Sequence, residues 1–176
     1  MKVFIGGSRK ITRLPGKITE RLDRIIEKGF PVLVGDAGGA DRAVQEYLND
    51  RKYGRVEVFC MEGACRNNVG AWATRAVPAP KGTKGAAYYS IKDAEMTRES
   101  TIGLMIWDGR SSGTLANVSR LLGQGKKAIV YVAPLHDFFN LADMDDWKSF
   151  LGQLKVDSAK RVRGNAAKVD RHHAAY

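Results

Sequence analysis

The stretch that decides the fold is IGLMIWDGRSSGTLANV, residues 102–118. Its first six residues form a continuous apolar run, short and rich in branched side chains, which reads as a strand buried on both faces. The run stops at Asp108 and gives way to Gly109, Arg110, Ser111, Ser112, Gly113 and Thr114. Helical spacing then takes over, with apolar residues at Leu115, Val118, Leu121 and Leu122. Strand, polar glycine-containing turn and helix in that order form half of a parallel α/β unit.

The same grammar recurs outward from this stretch. KVFIGGS (2–8), PVLVGDAGG (31–39) and RVEVFCMEG (55–63) are apolar runs followed by glycine, and AIVYVAP (128–134) is one followed by proline. Between them lie Ile18, Leu22, Ile25 and Ile26, then Ala43, Val44, Tyr47 and Leu48, each set spaced to line one side of a helix. A further helix is expected over Asp145 to Leu154, with Asp145 and Asp146 in its first turn, where the helix dipole favours negative charge. The expectation is an α/β domain, a Rossmann-like doubly wound parallel sheet of about five strands in the order 3-2-1-4-5, with helices on both faces.

One segment departs from the pattern. Residues 62–90 form a connection of about 29 positions with two prolines, several glycines and weak periodicity. Connections of that length inside compact domains are usually functional or disordered. Trp72, Tyr88 and Tyr89, with Arg66 and Arg75, supply groups suited to stacking on a base and clamping a phosphate; sealing the edge of the domain is the competing use for the same aromatics.

Length and composition fit one domain. The chain has 176 residues, 44% of them hydrophobic, enough for a single sizeable core and short for two. No apolar run approaches the roughly 20 residues that span a bilayer, and MKVFIGGSRK does not have the pattern of a signal peptide. A soluble, cytoplasmic protein without a membrane partner is expected. The formal net charge is +10. Lys155, Lys160, Arg161, Arg163, Lys168 and Arg171, against Asp157 and Asp170, give the end of the chain a net +4. The expected division is therefore one domain over 1–155 and a basic, flexible tail over 156–176. The remaining +6 is dispersed, and suits an anionic small ligand as well as it suits nucleic acid. Cys60 and Cys65 lack redox or zinc spacing and read as structural or incidental thiols.

In an open parallel sheet, ligands bind beyond the carboxyl ends of the strands where the strand order reverses. Three polar loops fall there: Gly6, Gly7, Ser8 and Arg9 after the first strand; Gly35, Asp36, Gly38, Gly39 and Asp41 after the second; and Asp108 to Thr114 after the fourth. Glycines let backbone N–H groups approach, hydroxyls add donors, and the helix that follows presents unpaired N–H groups at the positive end of its dipole. A phosphate is the expected occupant, with Arg9 and Arg110 able to add charge-assisted bonds. Asp108, at a strand end beside this loop, is placed to accept a sugar hydroxyl, to act as a base or nucleophile, or to cap the turn. Asp36 and Asp41 are expected to cap the helix near Ala40.

Four motifs taken together, FIGGSR (4–9), GDAGGADRAVQEYL (35–48), KDAEM (92–96) and LMIWDGRSSGTLAN (104–117), resemble the SLOG superfamily of Rossmann-like proteins, in the branch of bacterial YspA and YpsA proteins. The resemblance spans about residues 2–133 and implies a nucleotide or phosphoribose ligand at the strand-order reversal. Relatives include the lonely-guy phosphoribohydrolases, DprA and sensor domains that bind NAD-derived nucleotides, with nucleoside 2-deoxyribosyltransferases more distant. In the lonely-guy motif Pro-Gly-Gly-x-Gly-Thr-x-x-Glu, matching Gly113 and Thr114 puts Asn117 at the catalytic glutamate. Lys92, four residues before Met96, matches that family's arginine. An amide cannot act as a general base, so a relocated carboxylate is required for that chemistry; Asp108 and Asp93, with Lys92, are the catalytic candidates, and Glu95 is a further carboxylate beside them.

The leading expectation is a sensor or carrier that binds a nucleotide or nucleotide-sugar phosphate through these loops, with Asn117, Tyr88 and Tyr89 completing the ligand contacts. An N-glycosidic hydrolase or transferase is the enzymatic alternative, and DprA-like nucleic-acid binding the second alternative. No cofactor and no metal are expected. His136, His172 and His173 form no ligand set, and no GxSxG nucleophile elbow is present. Because such relatives often self-associate, a homo-oligomer is expected.

Overall fold

The computed structural model describes residues 1–154; the tail over 156–176, with His172 and His173, lies outside the described residues. The strands are β1 (Val3–Gly7), β2 (Val32–Gly35), β3 (Val56–Met61), β4 (Ala73–Val77), β5 (Ile102–Trp107), β6 (Lys127–Val132) and β7 (Asp137–Leu141). The helices are α1 (Gly16–Glu27), α2 (Ala40–Asp50), α3 (Gly85–Glu99), α4 (Ser112–Gly123) and α5 (144–154). All seven strands form one sheet in the order β4-β3-β2-β1-β5-β6-β7. Every pairing is parallel except that of β6 with β7.

The five expected strands and their order are all contained in this sheet. Among the described residues the strand count is corrected to seven by one extra strand at each edge, and the 62–90 connection is corrected with it. That segment holds β4 and the first turns of α3, so its irregular part shrinks to 62–72 and 78–84. The reason β4 escapes the hydrophobic pattern is physical. Ala73, Thr74, Arg75 and Ala76 are exposed and only Val77 is buried, since an edge strand needs polar or small residues to deter pairing with other chains. Arg75 is bonded to Glu57 of the neighbouring strand at 3.0 Å.

Alternation along the strands divides the core in two. Val3, Ile5, Leu104 and Ile106 face the layer that contains Ile18, Leu22 and Ile25 of α1 and Ala40, Val44 and Leu48 of α2. Phe4, Met105 and Trp107 face the opposite layer, with Met96 of α3, Val118, Leu121 and Leu122 of α4, and Trp147 and Phe150 of α5. Helices α1 and α4 stop in the same manner. Gly29 and Gly125 take positive φ of 61° and 69°, and the residue after each donates back five positions into the helix, Phe30 to Ile25 and Lys126 to Leu121.

The two cysteines form a disulfide, which corrects the expectation of thiols. Glu62 and Gly63 have φ of 52° and 81°, so the chain doubles back after β3 and brings the two Cα atoms to 4.9 Å. Reversal of strand order falls between β1 and β5, whose register pairs Gly7 with Ile106.

Candidate functional site

The loops after β1 and β2 interlock through backbone contacts. Gly7 is required because a Cβ there would strike the Ile106 carbonyl and come within 2.8 Å of the Ala40 Cβ. Gly39, at φ 74°, places its Cα against the backbone of Arg9. The Ala40 N–H donates to the Ser8 carbonyl at 3.2 Å, and the Ser8 N–H donates to the Ile106 carbonyl at 2.9 Å. Two loops that are distant in sequence thus meet over the end of β5 at the strand-order reversal.

Ser8, 1% exposed, ties the first loop to the third. Its hydroxyl donates to Asp108 Oδ1 at 3.0 Å and accepts from the Asp108 N–H at 3.1 Å. It also lies 3.3 Å from the Thr114 hydroxyl. Asp108 Oδ1 further receives the N–H groups of Arg110 and Ser111 at 2.9 and 2.8 Å. Burial pushes the Asp108 carboxyl up, but the Ser111 and Arg110 amides and the Ser8 hydroxyl outweigh it and hold the group below its ordinary value. Asp108 therefore caps its own loop with Oδ1, while Oδ2 receives none of these donors. Ser111 is the N-cap of α4 and accepts from the Thr114 N–H. Trp107 Nε1 donates to the Ser111 carbonyl at 3.0 Å and fixes the loop from below.

The opposite wall is built from charge. Lys92 of α3 is 2% exposed, with its Nζ 2.9 Å from Asp93 Oδ1 and 3.7 Å from Asp36 Oδ1. Burial pulls this lysine down, yet Asp93, Asp41 and Asp36 together more than offset that and raise it. The Asp41 carboxyl and the Lys92 ammonium both occupy the space that a Cβ on Gly35 would need. Asp41 is raised by burial to about 6, against the attraction of Lys92. Asp36 is also pushed up by burial, but the Arg66 guanidinium and amide, bonded to it at 2.6 to 3.1 Å, bring it below its ordinary value. The expected helix-capping role of Asp36 and Asp41 is corrected: Asp36 holds Arg66, Asp41 Oδ2 accepts from the Ala37 N–H at 3.2 Å, and the N-cap of α2 is Gly39, without a side-chain bond.

Between the walls lies a cleft of about 930 Å³. Of the expected residues, Gly6, Gly7, Arg9, Asp41, Tyr89, Lys92, Asp93, Asp108, Asn117 and the 110–114 loop line it. Ser8, Gly35, Asp36, Gly38, Gly39 and Gly109 are not among the lining residues and act from behind or beside it. Tyr88 turns away and donates to Glu62 at 2.8 Å. Trp72 donates to the Tyr53 carbonyl and packs on the α1 and α2 side of the core, and Arg75 covers Phe59, so these two seal the sheet edge. Arg66, by contrast, does reach the cleft, where its guanidinium lies 4.2 Å from the centre of the Tyr89 ring; that of Arg9 lies at 5.4 Å.

Sequence reading missed Lys10, Ser90 and Arg120, all of which line the cleft. Arg120 donates to Asn117 Oδ1 at 2.7 Å and to the Ser90 hydroxyl at 2.6 Å. Its spacing of three from Asn117 placed it on the same helix face, a signal present in the sequence. The Asn117 amide donates in turn to Asp93 Oδ2 at 3.3 Å. The lining carries six cationic side chains, Arg9, Lys10, Arg66, Lys92, Arg110 and Arg120, against the carboxylates of Asp41, Asp93 and Asp108. His136, in the turn before β7, is not part of it.

No protein-family model matches the chain, and no curated protein sequence matches it. Among solved structures it resembles DNA processing protein A from Helicobacter pylori, with a TM-score of 0.55 and 13% identity, over 93% of this chain and 81% of that one. That structure was described for its mode of binding single-stranded DNA. The likeness is one of fold, and together with the sheet order it defines this chain as a Rossmann-like α/β protein. No helix among the described residues is long and apolar enough to cross a membrane.

Proposed function

We propose that the cleft binds a nucleotide or nucleotide-sugar phosphate, as a sensor or carrier of the SLOG type. The observation that carries this reading is the 108–114 loop. Asp108, Ser8 and Trp107 hold it from behind, Gly109 lies against Pro134 and Ser111 caps the Thr114 amide, which leaves Gly113 facing open space and the Ser112 and Gly113 amides at the start of α4 for a ligand. Backbone donors at a helix start suit a phosphate, and Arg9 and Arg110 line the same cleft. Tyr89, with the Arg66 and Arg9 guanidinium groups over its ring, supplies the start of a planar stack that a base can extend. A cleft of this size has room for such a ligand.

Gly113 supplies the test. A Cβ there meets nothing within 4 Å, so Gly113→Asp adds a negative charge to the phosphate position without a clash. Binding of nucleoside mono- and diphosphates, NAD and ADP-ribose, measured by calorimetry, should fall at least tenfold in this variant, with the melting temperature kept. Unchanged affinity removes the loop as the phosphate site. Chromatography of the same mixtures for freed base or nicotinamide tests the enzymatic alternative, in which Asp93, Asp108 and Lys92 would carry the chemistry.

Single-stranded DNA is a second reading, favoured by the likeness to the Helicobacter pylori protein and by the excess of cations along the cleft. It requires affinity for an oligonucleotide that falls steeply with salt, through release of counterions. A nucleotide held mainly by backbone donors and one stacked ring gives a shallow salt dependence, so the slope separates the two.

A further inference from the structure

A second depression lies at the amino ends of the strands, on the side of the sheet away from α3, α4 and α5. Among the described residues three helices cover that other face and only α1 and α2 cover this one. Beside α1, Ile102 of β5 and Ile129 of β6 are left partly exposed. A groove of about 210 Å³ results, its floor made by Val3, Ile25, Phe30, Ile102, Leu104 and Ile129.

Its rim is cationic. Arg21, Arg24 and Lys28 line it, and their spacing of three and four puts them on one face of α1. On the same two helices, other basic residues are neutralised: Lys17 by Asp137, Arg42 by Glu46 and Arg51 by Asp23. The three rim residues form no ion pair with any described carboxylate. Arg21 lies over the Phe138 ring and Lys28 near that of Phe30, which steadies them and leaves their N–H groups to other partners.

We propose that this groove is a docking site for an acidic peptide segment that carries one apolar anchor. Size favours this occupant, since a groove of about 210 Å³ suits one aromatic or branched side chain and is too small for an acyl chain or a nucleotide. Charge spacing favours it as well. The seven steps of helical rise from Arg21 to Lys28, the C-cap of α1, span about 10 Å, the length of about three residues of extended peptide, so successive carboxylates can meet successive cations. The anchor supplies most of the affinity because exposed ion pairs contribute little, and the charges select the partner.

The test uses the full chain and a fluorescein-labelled peptide of four aspartates followed by phenylalanine, read by anisotropy. Binding should weaken at least tenfold in the double variant Arg24→Glu, Lys28→Glu and at least tenfold when the peptide's phenylalanine is replaced by serine. Ile129→Ala should weaken it about threefold, and ligand binding at the cleft should not change in any of these variants. Equal binding of the serine peptide, or indifference to charge reversal, overturns the proposal. So does capture by phosphatidylglycerol vesicles without peptide binding, or sedimentation as a dimer that the charge reversal dissociates, since these assign the groove to a membrane or to a second copy of the chain.

Discussion

The two walls of the cleft use the same residue type to opposite ends. On the β5 side, Asp108 collects two backbone N–H groups and a hydroxyl on one oxygen and is held below its ordinary value. On the β2 side, Asp41 sits in the core beside one shared lysine and is pushed up to about 6. Hydrogen-bond donors that cannot move stabilise the carboxylate; burial among other carboxylates favours the acid. The first wall is therefore a rigid backbone cradle, and the second is a charge cluster whose balance depends on Lys92 and Arg66.

Removing Lys92 is the strongest way to break that contrast. In Lys92→Met three carboxylates lose their common cation, and the loss of one member of a buried charge group costs about 3 to 5 kcal/mol. Thermal unfolding near pH 7 should shift down by roughly 6 to 20 °C for a domain of this size. Acidification should recover part of the loss as Asp41 takes up its proton. A variant as stable as the parent protein would mean that the second wall is not held by charge.

Asp41 gives the next effect. Its folded value of about 6 exceeds the ordinary 3.8, so the folded state binds its proton more tightly than the unfolded one. The stabilisation is complete below pH 3.8 and is lost as pH rises through about 6, an amount on the order of 3 kcal/mol. Asparagine preserves the acceptor for the Ala37 N–H and cannot ionise. Denaturant titrations across pH 4 to 7 should show Asp41→Asn gaining on the parent protein with rising pH. A constant difference would show that Asp41 does not titrate in that window.

What the sequence revealed and what it hid divide along the same lines. The five core strands and the three loops were legible because continuous apolar runs ending in glycine report burial and a tight turn directly. The strand-order reversal followed from alternation of strand and helix, and it brought Ser8 and Asp108 to one place before any contact was known. Edge strands β4 and β7 were not legible, since ATRAV, exposed except for Val77, has no apolar pattern and DFFNL lies too close to β6 to read as a separate element. Nor was the Asp36–Arg66 pair, which joins residues 30 positions apart from the loop after β2 to the irregular chain that follows β3. Helical spacing could have added Arg120, but nothing local distinguishes Tyr89, which enters the cleft, from Tyr88, which leaves it.

The smallest effect is expected at Asp108, and its sign sharpens the contrast most. Asp108→Asn keeps an oxygen that can still receive the Ser111 and Arg110 amides, but it loses the charge that strengthens those bonds, a cost of about 1 kcal/mol. Because the folded value lies below 3.8, the stabilisation is present above that pH and disappears as pH falls through the folded value. The asparagine variant should therefore differ most from the parent protein at neutral pH and converge with it in acid, whereas the Asp41→Asn difference rises from near zero in acid in the favourable direction. Paired pH profiles of the two variants that slope apart identify one carboxylate made to stay charged and another made to resist it. Profiles that slope the same way would mean that Asp108 is only another buried acid, and that the 108–114 loop must owe its shape to Ser111 and Trp107 alone.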